Sequence, residues 1–213
     1  MSPIINLRNS NIPKGIVMKK LLLVASVTAA ISLVNTASAA TSGTVNFNGK
    51  LNDQTCQVVL NNSSSASGTV TLPTVPKEKL ATRYAQAGKT PFTLKLTGCK
   101  ASTTSFGVLA YFPNSPYIQT TSAYGFLKNM ESSSTAADGV MLTIYKKDGT
   151  TEKQINLGKS ITDSSYQYTT VAANATSATL EYNVNYINYR TTGSSPATAG
   201  KVKGIAIYEL AYQ

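Results

Sequence analysis

Residues 201–213 read KVKGIAIYELAYQ, and their alternation decides the fold. Val202, Gly204, Ala206, Tyr208, Leu210 and Tyr212 fall on one face of an extended chain, and Lys203, Ile205, Ile207, Glu209, Ala211 and Gln213 on the other. A period of two is that of a β-strand, whose successive side chains point to opposite faces. The spacing predicts a strand over 201–213, with no turn residue after it. Such a strand has no loop to carry a following strand beside it, so one of its edges is expected to lack a partner unless the fold closes over it. An ordinary closing strand of a β-sandwich has the same periodicity.

Working outward, the same period recurs along the chain. Residues 177–189 form the longest β segment, with Leu180, Tyr182, Val184, Tyr186 and Asn188 on alternate positions, and a Gly/Ser/Pro loop over 190–199 leads to the last strand. Residues 140–146 and 152–157 read as a hairpin, because Asp148-Gly149 suits a tight turn between two alternating runs. Phe92, Leu94 and Leu96 share the inward face of a strand over 91–99, and another strand is predicted over 106–112. Shorter strands are predicted over 56–60 and 68–72, the second ended by Pro73 and Pro76, with a short helix within 77–87. Residues 113–139 are rich in Ser, Thr, Asn and Pro and read as an exposed connection with short strands. Tyr117 and Tyr124 in that stretch are open to two readings, contact with a ligand or packing on the domain or a neighbouring subunit. Short strands joined by turns, with no sustained helical period, point to an antiparallel sandwich.

At the other end, Met18-Lys19-Lys20 followed by the apolar run 21–34 and by Ala37-Ser38-Ala39 has the layout of a signal peptide. Cleavage is expected after Ala39 and the true start at Met18, so 1–39 is read as leader and signal, and the mature chain as not membrane-spanning. Removing Arg8, Lys14, Lys19 and Lys20 leaves 15 basic against 9 acidic groups, a net charge of about +6. The basic residues are scattered, so no stripe for nucleic acid is expected. With no His in the chain, neither a Ser-His-Asp nor a Cys-His arrangement is available, and no catalytic, metal or cofactor site is expected. Cys56 and Cys99, in a chain with an export signal, read as one structural disulfide rather than a metal site, because two thiolates without His cannot complete a tetrahedral shell.

The mature start, from Ala40, alternates again: Gly43, Val45, Phe47, Gly49 and Leu51 share one face. Two of those five positions are Gly, which packs nothing and carries a large backbone entropy. The segment needs a sheet to join, either its own domain's or another's.

Several features occur together in order: the Gly43–Leu51 alternation, Cys56 seven residues after Gly49, Phe92-x-Leu-x-Leu-x-Gly-Cys99, the Tyr-rich stretch with its Gly/Ser/Pro loop over 186–198, Gly200 fourteenth from the end and a penultimate Tyr212. In this the chain resembles type 1-like fimbrial subunits, the pilins of the chaperone-usher pathway. The resemblance implies an all-β fold, an incomplete immunoglobulin-like sandwich lacking its final strand and completed by donor-strand exchange. Residues 40–53 would be the donor extension and 54–213 the pilin domain, with Val45 and Phe47 as main plugs and Gly49 where the groove is shallow. Gly200, Val202, Tyr208, Leu210, Tyr212 and Gln213 would belong to the acceptor and chaperone-binding strand, with the Gln213 carboxylate anchored by the chaperone. The partners implied are a periplasmic chaperone, an outer-membrane usher and neighbouring copies or related fimbrial subunits, in a fimbria at the cell surface that supports adhesion. The alternative is a minor adaptor or adhesive subunit that binds a host glycan or protein through residues 113–139.

Overall fold

The computed structural model describes residues 45–46, 53–121, 123–190 and 196–213. Those from Asp53 onward belong to one compact unit, which is nearly all β. Its strands are β1 (Gln57–Leu60), β2 (Gln86–Thr97), β3 (Phe106–Tyr111), β4 (Ile118–Thr120), β5 (Gly125–Leu127), β6 (Val140–Asp148), β7 (Thr151–Gln154), β8 (Thr169–Val171), β9 (Ala178–Asn188) and β10 (Glu209–Tyr212). One sheet has the order β1-β2-β9-β6-β5-β4, with β7 paired to β6, and the other has the order β10-β3-β8. Every strand pair in both sheets is antiparallel.

The inward alternation seen in the sequence is what builds the first sheet. Phe92, Leu94 and Leu96 of β2 are buried beside Leu180, Tyr182 and Val184 of β9 and Leu142 and Ile144 of β6. Tyr182 is the hub of this layer. Its ring stacks on Phe92 at 5.2 Å and meets Phe112 edge-on at 6.1 Å, and its hydroxyl bonds the backbone of Ala110 in the opposite sheet. Burial pushes the ionisation of that hydroxyl well above the usual tyrosine range. The turn at Asp148-Gly149 joins β6 to β7, and Gly149 takes the left-handed backbone (φ 58°) that the hairpin turn requires.

The disulfide joins Cys56, just before β1, to Cys99, just after β2, at the end of an antiparallel pair in register Gln57↔Thr97. The chain-entropy model gives about 3 to 4 kcal/mol for a closed loop of this length. The double variant Cys56→Ala/Cys99→Ala is expected to lower the unfolding free energy by about 2 to 5 kcal/mol, read as a shift of the urea midpoint. Reduction of the unaltered protein should reproduce the shift, and an unchanged midpoint would show that the bridge adds nothing.

The structure corrects the sequence reading in four places. The strand expected over 201–213 is confined to Glu209–Tyr212, and residues 202–208 are not in a strand. Residues 68–72, also expected as a strand, are not one either. Neither 204–207 nor 68–72 has a backbone hydrogen-bond partner among the described residues, and a strand is defined by its pairing as much as by its alternation. The helix expected within 77–87 is a single 3-10 turn, Lys77–Leu80, because β2 already begins at Gln86. Strand β8 was not foreseen: Thr169–Val171 is three residues long, too short to show a period.

Candidate functional site: an apolar groove between two unpaired walls

The two stretches that failed to become strands face each other. Residues 66–72 and 202–206, with Tyr208, form the walls of a groove of about 620 Å³ whose floor is the inner face of the first sheet: Phe92, Leu94, Leu142, Ile144, Val184 and Tyr186. Val70, Leu72 and Val202 turn inward against the core. No backbone hydrogen bond joins residues 68–72 or 204–207 to another described residue. The groove is thus bordered by two stretches, 68–72 and 204–207, whose backbone has no backbone partner among the described residues, and floored by the side chains of the main core. Such an edge is a template for another strand.

Each end of the last segment is held differently. At its start, Lys201 N–H donates to Thr135 O (2.7 Å), Ala137 N–H to Lys201 O (2.9 Å) and Met130 N–H to Lys203 O (2.7 Å). Asn129 completes this tether: its amide donates to Ala137 O (2.9 Å) and Lys201 O (3.0 Å), and its Oδ1 accepts from the Glu131 and Lys203 N–H groups (3.1 and 3.0 Å). All four of its hydrogen bonds are local to this junction, and nothing in a Ser/Thr/Asn-rich stretch marks Asn129 out in the sequence. Gly200 lies directly on the same loop. A Cβ at this position would sit 2.4 Å from Ala137 N and 2.5 Å from Ala136 C, so only glycine fits.

At the other end, β10 is paired with β3 through Leu210↔Ala110 and Tyr212↔Val108. Leu210 and Tyr212 pack on the core from that strand and do not line the groove. The Tyr212 hydroxyl accepts the Cys56 N–H at 3.2 Å, fastening the last strand to the disulfide. Gln213 continues the ladder, donating its N–H to Gly107 O (3.0 Å) and accepting the Gly107 N–H (3.2 Å). Tyr208 lies between the two regimes. Its hydroxyl donates to Ala66 O at 2.8 Å across the groove, and burial raises its ionisation above the ordinary tyrosine value.

Of the residues singled out at the mature start, Val45 is described and is 72% exposed, while Gly43, Phe47, Gly49 and Leu51 lie outside the described residues. In the 113–139 stretch, Tyr124 is exposed and its ring meets Phe126 at 6.1 Å, and Tyr117 is half-buried.

The fimbrial protein family profile matches residues 45–213, which span both sheets and both groove walls. This chain belongs to the fimbrial protein family. It is 38% identical over 199 residues to the F17 fimbrial protein of Escherichia coli, covering 92% of this chain and 100% of that relative. It is 33% identical over 176 residues to the major fimbrial subunit SMF-1 of Stenotrophomonas maltophilia, covering 83% and 95%. A solved chaperone-usher pilus has a subunit of similar fold, with a TM-score of 0.50 at 16% identity, covering 82% of this chain and 98% of that one. The grooved sandwich is therefore that of a fimbrial subunit, a surface structure's building block. Among its described residues no helix is long and apolar enough to cross a membrane.

Proposed function

We propose that this fimbrial protein is a shaft subunit of a chaperone-usher pilus, and that residues 40–53 of one copy complete the sandwich of the next. One observation carries the reading: two extended stretches, 68–72 and 204–207, with no backbone partner among the described residues, stand on either side of a groove floored by the main core. A strand laid between them satisfies both rows of backbone groups and places alternate side chains on the floor. The 43–51 alternation supplies such side chains, with Val45, Phe47 and Leu51 contributing roughly 1.5 to 3 kcal/mol each at full burial. The contact joins two different surfaces and does not close, so it propagates as a filament.

On this reading a periplasmic chaperone fills the groove before the neighbour does, and an outer-membrane usher passes the subunit to the cell surface, where the fimbria supports adhesion. Residues 1–39 are the leader and signal. The 38% identity to a fimbrial protein along its whole length supports a structural subunit rather than an enzyme.

The test compares two versions of the processed chain produced in a periplasm with no matching chaperone. One is natural, and the other carries a copy of residues 40–53 after Gln213 on a flexible linker. The fused version is expected to be a monomer with cooperative unfolding, and the natural one to aggregate or be degraded. Two equally stable monomers would mean that the domain is complete without a donated strand.

A further inference from the structure

We propose that the outer face of the first sheet carries a saccharide site near the ends of β4, β6 and β9, and that it takes an uncharged, hydroxyl-rich glycan. The site does not depend on the donor-strand reading. Gln119 and Met141, which line it, alternate with Ile118 and Leu142 of the core, so it opens on the side away from the groove.

Gln119, Lys128, Glu131, Asp138, Tyr189 and Arg190 line a depression of about 540 Å³. Its size is within the roughly 300 to 1,000 Å³ of small-molecule sites, which combine apolar or ring surface with a few fixed polar groups. The walls are held through their backbone. Tyr189 N–H donates to Gly139 O (2.8 Å), Arg190 N–H to Asn188 Oδ1 (3.0 Å) and Asp138 N–H to Thr198 Oγ1 (2.7 Å). Gly139 has φ 75°, and a Cβ there would meet Arg190 Nε at 2.5 Å. The Arg190 side chain therefore lies against bare backbone, and its Nη2 donates to Asp138 Oδ2 (2.6 Å).

The polar groups left open suit a sugar hydroxyl. Arg190 Nε is buried with no hydrogen-bond partner, and an orphaned donor of this kind is uncommon and points to an acceptor from outside the fold. Among the described residues Asp138 Oδ1 and the Tyr189 hydroxyl make no hydrogen bond, and the Gln119 amide reaches only the Thr120 carbonyl, at 3.5 Å. A hydroxyl both donates and accepts, so a ring that carries several serves the carboxylate, the amide and the guanidinium together. An ion gains nothing comparable, because the lining sets Lys128 and Arg190 against Glu131 and Asp138, and Arg190 is already paired.

Aromatic rings extend the site on both sides. Tyr189 lies 6.0 Å from the exposed Tyr84 and 5.1 Å from Phe126, which leads on to the exposed Tyr124 at 6.1 Å. The C–H groups on a pyranose face carry partial positive charge and pack on the negative faces of such rings. Tyr84 is held at φ 64°, a left-handed backbone that bulky residues rarely adopt and that clusters at functional sites. An oligosaccharide would seat one ring among the polar groups and lay its neighbours along the tyrosines.

The test offers sheared fibres, assembled from the full chain, a printed panel of neutral oligosaccharides and their sialylated counterparts. Saturable capture of a neutral glycan is expected, at about one per subunit by equilibrium dialysis, a ratio that a site at the fibre tip alone cannot reach. Asp138→Asn and Gln119→Ala should each weaken capture about tenfold, the loss of one hydrogen bond, with fibre yield unchanged because neither residue lines the groove. Should Asp138→Asn fail to assemble, Gln119→Ala decides, since β4 is an edge strand. Three results overturn the proposal: no saturable capture, equal or tighter capture of the sialylated glycans, or capture that the polar variants leave intact. If those variants alter fibre width and leave capture intact, the depression is a contact between copies of the subunit and not a saccharide site.

Discussion

Phe47→Asp is expected to abolish fibre formation while the subunit still folds and is held by its chaperone. The floor that would receive residue 47 is largely apolar: Phe92, Leu94, Leu142, Ile144 and Val184 contribute no hydrogen-bonding side chain, and Tyr186 adds a single hydroxyl. Replacing the ring removes roughly 1.5 to 3 kcal/mol of apolar burial. A carboxylate taken into that floor with no partner costs several kcal/mol more. The two effects act in the same direction. Phe47→Leu keeps the burial and should keep assembly. The check is electron microscopy and heat-stable multimer ladders from cells that make either variant with the chaperone present. Ordinary fibres from Phe47→Asp would remove residue 47 from the donated strand.

The second large effect is expected at Gly200, and it is one of stability. The obstacle to a Cβ here is backbone on three consecutive residues, 2.4 Å from Ala137 N, 2.5 Å from Ala136 C and 2.6 Å from Thr135 O. A flexible side chain could swing aside, as Leu142 could from a Cβ at Gly204, but a backbone held by the Asn129 amide at Ala137 O and by Lys201 at Thr135 O and Ala137 N–H cannot. Gly200→Ala is expected to cost about 3 kcal/mol, the upper end for overpacking. It should also displace residues 201–203, which begin one wall of the groove. Urea unfolding of the version completed by a fused donor measures the cost, and a midpoint unchanged from the parent would show that the 135–137 loop yields freely.

The alternation of Phe92, Leu94 and Leu96, and of Leu180, Tyr182 and Val184, was enough to locate β2 and β9, because a strand's inward face is a local property of its side chains. The hairpin at Asp148-Gly149 was legible for the same reason, since a turn's backbone demands are local. The Cys56–Cys99 bridge followed from there being two cysteines in a chain whose start reads as an export signal. The strong alternation over 201–213 was equally plain, yet it could not tell which part of the stretch is paired. Hydrogen-bonded partners come from residues far away in the chain, β3 for residues 209–212 and none of the described residues for 204–207. Residues 68–72 misled in the same way.

The sequence by itself determined the all-β class, the inward faces and the disulfide, each of which depends on side-chain type and near spacing. Only the tertiary structure decided that two strand-like stretches stand without backbone partners among the described residues across a largely apolar floor, that the Tyr208 hydroxyl reaches Ala66 O, and that Asn129 and Gly200 hold the start of the last segment. These are distances between residues scores of positions apart, fixed by how two sheets pack rather than by any local pattern.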